Sequence, residues 1–457
     1  MASMSPSTPR RLLLVTYEFP PSAGGGVQRL AKLAKHLPRH GWRVTVVAAE
    51  PIEGRPRDET LLADVSEARV VRLPARDVGA GVARAISPVK RLVRRRGASE
   101  QGRRTSGSAS SASGVPLSTR LARWVAVPDT AVRWAAGVEA AARRLHAEEP
   151  FDAVLASGPP YSGVAAAASA GRALSVPFVA DMRDAWLVNP SVRWPTAWHA
   201  HRSQALERAT LAAADAVTAV SEVIAEEARS LGARRVLVVP NGFDPEDLPP
   251  RAPDRAGPLR LAFMGRLYRA LDPATLVEGL GLALRGGRLG EGFAVDVVGP
   301  PSAEAEALVR RHGLGEVVRF HGFKPHAEAL GVVAAADAAL VSVGQRPGAE
   351  GIYTGKLFEY VGMGVPVLLV GPADGVAARL LHEAGAGRVT RPGDAPALAE
   401  AVASLAEEKR SGGIRSEPDL AVVARFERGR QAAQVAAVLD SLAGCPAEER
   451  SEVSPGG

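Results

Sequence analysis

Residues 350–371 read Glu-Gly-Ile-Tyr-Thr-Gly-Lys-Leu-Phe-Glu-Tyr-Val-Gly-Met-Gly-Val-Pro-Val-Leu-Leu-Val-Gly, and no other stretch limits the fold so tightly. A short helix opens at Gly355 and Lys356, with Leu357, Phe358 and Val361 as its buried side. Gly364 stops that helix and Pro366 keeps it from resuming. Val365–Val370 is then an unbroken apolar run, the pattern of a parallel strand covered on both faces. Gly355 lets backbone approach a ligand. The helix start offers free N–H groups and a positive dipole end, which suit a phosphate. Lys356 adds a mobile cation there, and Glu359 lies one turn on, on about the same face. A diphosphate anchor beside a carboxylate able to take two sugar hydroxyls fits a nucleotide diphosphate sugar. The plainer reading is a solvated Lys356–Glu359 pair, worth at most about half a kcal/mol. The Gly-Lys start, the carboxylate and the Gly-x-Pro entry into a strand occur together, and this favours a site.

The rest of the chain repeats the alternation of strand and helix. Arg11–Tyr17 reads as a strand, followed by a Pro20-Pro21 and Gly24-Gly25-Gly26 loop, a helix from Val27 to about Leu37, and a strand at Arg43–Ala49. That is a right-handed βαβ unit with its glycine loop at the carboxyl edge of the sheet, where such folds bind ligands. Further strands are expected at Arg69–Leu73, Ala153–Ala156, Val176–Ala180, Ala216–Val220 and Val236–Val239. Two carboxylates flank an arginine in Asp181-Met182-Arg183-Asp184, directly after the Val176–Ala180 strand. This is a site-like arrangement, with a structural ion pair as its alternative. Pro240-Asn241-Gly242-Phe243-Asp244 and a Pro-rich run to Pro258 mark the domain boundary. Beyond it, strands are expected at Leu259–Met264, Phe293–Val298, Val317–Phe320, Ala338–Val343, Val365–Val370 and Gly387–Arg391. Helices are expected between them, one of them at His326–Ala335, and a last one over about 420–442.

At 457 residues the chain exceeds one ordinary core. Its single cysteine, Cys445, excludes an internal disulfide and suits a reducing compartment. No run of about 18 apolar residues is present to span a membrane, and the N-terminus lacks an apolar signal core. The net charge of +7 is concentrated in residues 84–104, where Arg84, Lys90, Arg91, Arg94, Arg95, Arg96, Arg103 and Arg104 face one acid, Glu100. Two readings compete for this run: a solvated loop, and a clamp for an anionic membrane surface or a phosphorylated acceptor. No aromatic residues interleave with it, which argues against nucleic acid. The nine histidines show no ligand spacing, so no metal is expected.

Two Rossmann-like halves joined at Pro240-Asn241-Gly242-Phe243-Asp244 resemble the GT-B glycosyltransferases, and more narrowly the retaining family 4 enzymes, over roughly residues 11–440. The likeness is carried by Pro20-Pro21 with Gly24–Gly26, the hinge, Gly265-Arg266, and Lys356-Leu357-Phe358-Glu359-Tyr360 with Gly364-x-Pro366. Ser157-Gly158-Pro159-Pro160 and Asp181-Met182-Arg183-Asp184-Ala185-Trp186 look like a bacterial subgroup. The resemblance implies an α/β fold of two Rossmann-like parallel-sheet domains facing across a cleft. A tail over 1–9 would precede an acceptor-side domain over 10–244, with an insert at 85–118. A nucleotide-sugar domain would follow over 245–419, then a helix over 420–443 that crosses back, and a tail over 444–457. Donor binding falls to Gly25, Gly26, Arg266, Arg269, Gly355, Lys356, Leu357 and Glu359. Arg266 would face the diphosphate and Glu359 the ribose. Ser157, Gly158, Tyr161 and Asp181 would lie on the acceptor side. Arg266, Lys356, Asp181, Arg183 and Asp184 would carry the chemistry. The family's usual glutamate eight residues before Glu359 is replaced by Gly351, with Glu350 nine residues away. Its usual histidine after the middle strand is replaced in the region of Asp181 and Arg183.

These residues suggest a metal-independent enzyme that moves a hexosyl or N-acetylhexosaminyl group, with retention, from a nucleotide diphosphate sugar to a hydroxyl acceptor. A uridine donor is weakly favoured and no cofactor is expected. The enzyme would be cytoplasmic, with peripheral membrane contact through residues 84–104. The alternatives are a catalytically silent nucleotide-binding partner protein and a GT-B epimerase.

Overall fold

The computed structural model describes residues 9–75, 122, 124–186, 194–253, 257–267, 271–289, 292–345, 348–414 and 416–444. The expectations placed on the basic and serine-rich insert, on Arg269, on Cys445 and on most of both tails lie outside these residues. The chain divides into two compact units, one of Met1–Val239 with Ala432–Gly457, the other of Pro240–Gln431.

The first unit holds seven strands: β1 (Arg10–Val15), β2 (Trp42–Ala49), β3 (Arg69–Leu73), β4 (Ala153–Gly158), β5 (Phe178–Met182), β6 (Ala216–Ala219) and β7 (Val236–Val238). All pairings are parallel, in the order β3-β2-β1-β4-β5-β6-β7. The order reverses between β1 and β4, so the crevice for a ligand lies beyond their carboxyl ends. Side chains alternate across the sheet. Leu13 and Val15 join a core with Trp134, Phe178 and Trp186 on one face. Leu12 and Leu14 join Leu30, Trp42, Val46 and Leu439 on the other.

The second unit holds six parallel strands: β8 (Leu259–Met264), β9 (Phe293–Val298), β10 (Val318–Gly322), β11 (Ala338–Ser342), β12 (Val367–Val370) and β13 (Gly387–Thr390). Their order is β10-β9-β8-β11-β12-β13, reversing between β8 and β11. The same alternation sends Val367 and Leu369 to one core and Leu368 and Val370 to the other.

Five helices matter below: α1 (Gly25–His36), α2 (Tyr161–Leu174), α3 (His326–Ala334), α4 (Gly355–Gly362) and α5 (Arg428–Leu442). Two expected boundaries move for physical reasons. Strand β12 starts at Val367 rather than Val365, because Val365 N–H donates to Tyr360 O and Gly364 N–H to Val361 O, closing α4. Gly364 takes φ 69° to do so, a conformation that favours glycine. The single helix expected over 420–442 is broken. Phe243 N–H donates to Phe426 O and Arg428 N–H to Phe243 O, which takes the chain around Phe426 out of helical bonding. Helix α5 follows, and its Ala432, Val435, Ala436, Val438, Leu439 and Leu442 belong to the core beneath β1 and β2.

Candidate active site

In the second unit, α4 and the end of β8 are tied together. Tyr360 Oη accepts a hydrogen bond from Met264 N–H at 3.0 Å, and Lys356 Nζ donates to Met264 O at 2.6 Å. Both backbone groups of Met264 are thus held by one helix, which fixes the start of the following Gly265-Arg266 loop. Lys356 Nζ also sits 4.2 Å from the centre of the Phe263 ring. The lysine expected as a mobile cation is therefore held on the backbone at the end of β8. Burial pulls its pKa down to about 8, against the opposing charge of Glu359. Burial likewise pushes the Tyr360 hydroxyl far up, so it stays a neutral partner for Met264.

Glu359 does not pair with Lys356 either. Its Oε1 accepts from His326 Nε2 at 2.8 Å, with side chains only 14% and 17% exposed. The solvated ion-pair reading of Lys356 and Glu359 is thereby set aside. The start of α4 carries no side-chain cap from Thr354. Space is open around Gly355, since a Cβ there would meet nothing within 4 Å. Arg266 is exposed just past β8. Leu357, expected among the donor-binding residues, is fully buried and packs its side chain into the core. Glu350 is exposed in a turn over Ala349–Gly351. With Gln345, Asp374 and Arg391 it lines an open cavity of about 530 Å³ past β11, β12 and β13.

The first unit arranges its acid and base differently. Asp181 lies inside β5 with no exposed surface. Its Oδ1 accepts from Arg29 Nη2 at 2.7 Å and from Thr218 Oγ1 at 2.7 Å, and its Oδ2 from Ser157 Oγ at 2.6 Å and Arg29 Nε at 3.0 Å. Burial alone would raise this carboxyl. The Arg29 charge and these hydrogen bonds outweigh burial and hold it below the ordinary value. Asp181 and Ser157, expected on the acceptor side, sit in a buried hub that joins α1, β4, β5 and β6.

Arg183 donates to Pro159 O at 2.6 Å and Gly158 O at 3.2 Å. A Cβ on Gly26 would fall 1.8 Å from its Nη1, so glycine is what lets the start of α1 lie against this guanidinium. The expected Gly25–Gly26 loop, Gly158 and Arg183 are thus brought together. Burial lowers the Arg183 pKa, with Asp181 and Asp184 opposing. Tyr161 Oη donates to Asp184 O and Ala185 O, and its ring stacks on Trp186 at 4.5 Å. Tyr161 therefore shapes the loop after β5, while the Asp184 residue is exposed.

Sequence reasoning missed Arg29, Thr218 and His326. Arg29 shares its buried helix face with Lys32 and His36, so no local pattern marked it as the partner of Asp181. His326 gave no signal beyond its place at the head of a helix.

Residues 24–242 match the model of the glycosyl transferase 4-like domain, and residues 258–408 that of the glycosyl transferases group 1. The chain belongs to the GT-B glycosyltransferases. Similar solved structures carry this fold along their whole length. Anabaena Alr3699/HepE in complex with UDP has a TM-score of 0.59 at 17% identity, covering 95% of this chain and 100% of that one. Sucrose-phosphate synthase from Thermosynechococcus elongatus has 0.58 at 17% identity, covering 97% and 96%. The Candida albicans trehalose-6-phosphate phosphatase N-terminal domain has 0.58 at 14% identity, covering 96% and 98%. At such identities the likeness concerns the fold. No curated protein is a significant match. No helix among the described residues of this glycosyltransferase is long and apolar enough to cross a membrane.

Proposed function

We propose that this glycosyltransferase moves a hexosyl or N-acetylhexosaminyl group from a nucleotide diphosphate sugar to a hydroxyl acceptor, with retention and without a metal. The observation that carries the reading is the edge of the second sheet. There Lys356 ties the uncapped start of α4 to the end of β8, just before the exposed Arg266, and Glu359 is held by a histidine one turn along the helix. Arg266, Lys356 and the helix amides would bind the diphosphate and stabilise its new charge as it leaves. Glu359 would accept from the ribose hydroxyls. The sugar's bond to the diphosphate oxygen breaks and its bond to the acceptor oxygen forms on the same face. The acceptor's proton passes to the departing phosphate, so no protein nucleophile is required. In the first unit, Gly25, Gly26, Arg183 and the exposed Asp184 are the groups left for substrate.

A uridine donor is favoured, and the UDP bound by the Anabaena neighbour adds to that preference. The proposed place is the cytoplasm, with peripheral contact to an anionic membrane face through the basic residues 84–104, a reading that the charge run supports. The test is proton NMR of the full chain with α-linked nucleotide sugars, with and without chelator. The expected first product keeps the donor's anomeric configuration, and chelator changes nothing. Inversion, or activity restored only by a divalent cation, would remove the corresponding part of the proposal. Binding without any consumption of donor would leave the silent partner protein, which the Gly351 position favours.

A further inference from the structure

Lys356 and Glu359 are three residues apart on α4, a spacing at which lysine and glutamate commonly pair. In this structure each is drawn elsewhere. Lys356 Nζ goes to Met264 O at 2.6 Å, and Glu359 Oε1 to His326 Nε2 at 2.8 Å. His326 comes from a different strand–helix unit, at the first position of α3 after Pro325. An ionised carboxylate only accepts, so Nε2 carries the hydrogen. One bond to Oε1 leaves a carboxylate with ample capacity for a diol. A glutamate has several free torsions, and holding it on a helix normally costs side-chain entropy when a ligand binds. The histidine supplies that order in advance, and keeps Glu359 from collapsing onto Lys356.

We propose that His326 is a positioning residue that fixes Glu359 for ribose recognition and so sets the enzyme's preference for ribonucleotides over deoxyribonucleotides. This rests on the reading of Glu359 given above. It separates the labour of α4: Lys356 faces phosphate and Glu359 faces sugar, with the histidine keeping the two from neutralising each other. Pre-ordering of this kind raises affinity by lowering the cost of binding, without any new contact to the ligand.

The test is calorimetric titration of the full chain with UDP, GDP and ADP and with their 2′,3′-dideoxy forms. The wild type prefers the ribose form of whichever diphosphate it binds. In His326→Ala that preference falls about tenfold, as for loss of a hydrogen bond to a charged group, while dideoxy binding holds. His326→Gln keeps a donor and restores much of the preference. An unchanged preference in His326→Ala, together with its loss in Glu359→Gln, overturns the role of His326 and leaves Glu359 intact. A preference unchanged in Glu359→Gln overturns the reading of Glu359 itself, and this inference with it. Equal loss of ribose and dideoxy binding in both histidine variants makes His326 a structural residue and also overturns the proposal.

Discussion

The carboxyl edges of the two sheets each place acids beside bases, yet they are built to opposite ends. In the first, Asp181 is wholly buried and both its oxygens are occupied by Arg29, Ser157 and Thr218. In the second, Lys356 and Glu359 are mostly buried, each is held by one hydrogen-bond partner, and the lysine is held with its pKa near 8. A saturated buried pair has nothing left to offer a ligand. Two groups held apart, each with spare hydrogen-bonding capacity, are poised for one. The acid–base chemistry alone does not separate these cases; the count of remaining acceptor and donor capacity does.

The comparison breaks most visibly on stability. Asp181→Ala leaves Arg29 buried without its carboxylate and is expected to cost the first unit about 3–5 kcal/mol in denaturant unfolding. Glu359→Ala in the second unit is expected to cost about 1 kcal/mol, since it removes a single hydrogen bond and strands no buried charge. Similar losses in the two variants would erase the distinction drawn here. The acid limb sharpens it. The folded Asp181 pKa lies below its unfolded value, so its stabilisation is full above the ordinary carboxylate pKa. It is lost as the pH falls through the lowered folded value.

Lys356 should report on pH from the other side. Only its protonated form pairs with a diphosphate. Affinity for a nucleoside diphosphate should therefore fall as the pH rises through about 8, by at most about tenfold per pH unit. The fall should vanish in Lys356→Met, and a profile unchanged by that substitution would show that the lysine does not face phosphate. An effect as small as that of Glu359→Ala is expected of Gly26→Ala. The new methyl group displaces the Arg183 guanidinium from the carbonyls of Gly158 and Pro159, at about 1 kcal/mol in thermal unfolding. No change in melting would mean that Arg183 moves freely and does not hold the glycine loop.

Much of the fold was legible because parallel strands buried on both faces are written as apolar runs. Leu259–Met264 and Phe293–Val298 coincide with β8 and β9 for that reason. Boundaries failed where backbone groups were diverted. Val365 caps α4 instead of pairing in β12, and Phe426 binds Phe243 instead of continuing a helix. At the site, Lys356, Glu359 and Arg266 could be picked out by their place at a helix start and a strand end. Their partners could not. His326 lies 33 residues from Glu359, and Arg29 lies 152 from Asp181. No local pattern marks such pairs, because only the sheet order brings them together. The same gap explains Asp181: its position at a strand end was visible, while its burial depends on Thr218 and Ser157 from the two neighbouring strands.

The central claim is that the second sheet's edge is a diphosphate site. Titrating a nucleoside and its diphosphate into the wild type, Arg266→Ala and Lys356→Ala tests it most directly. Each substitution is expected to weaken diphosphate binding by about 1.5–3 kcal/mol, the range for hydrogen bonds to charged groups, and nucleoside binding much less. Equal losses for the two ligands, or none for either, would contradict the account.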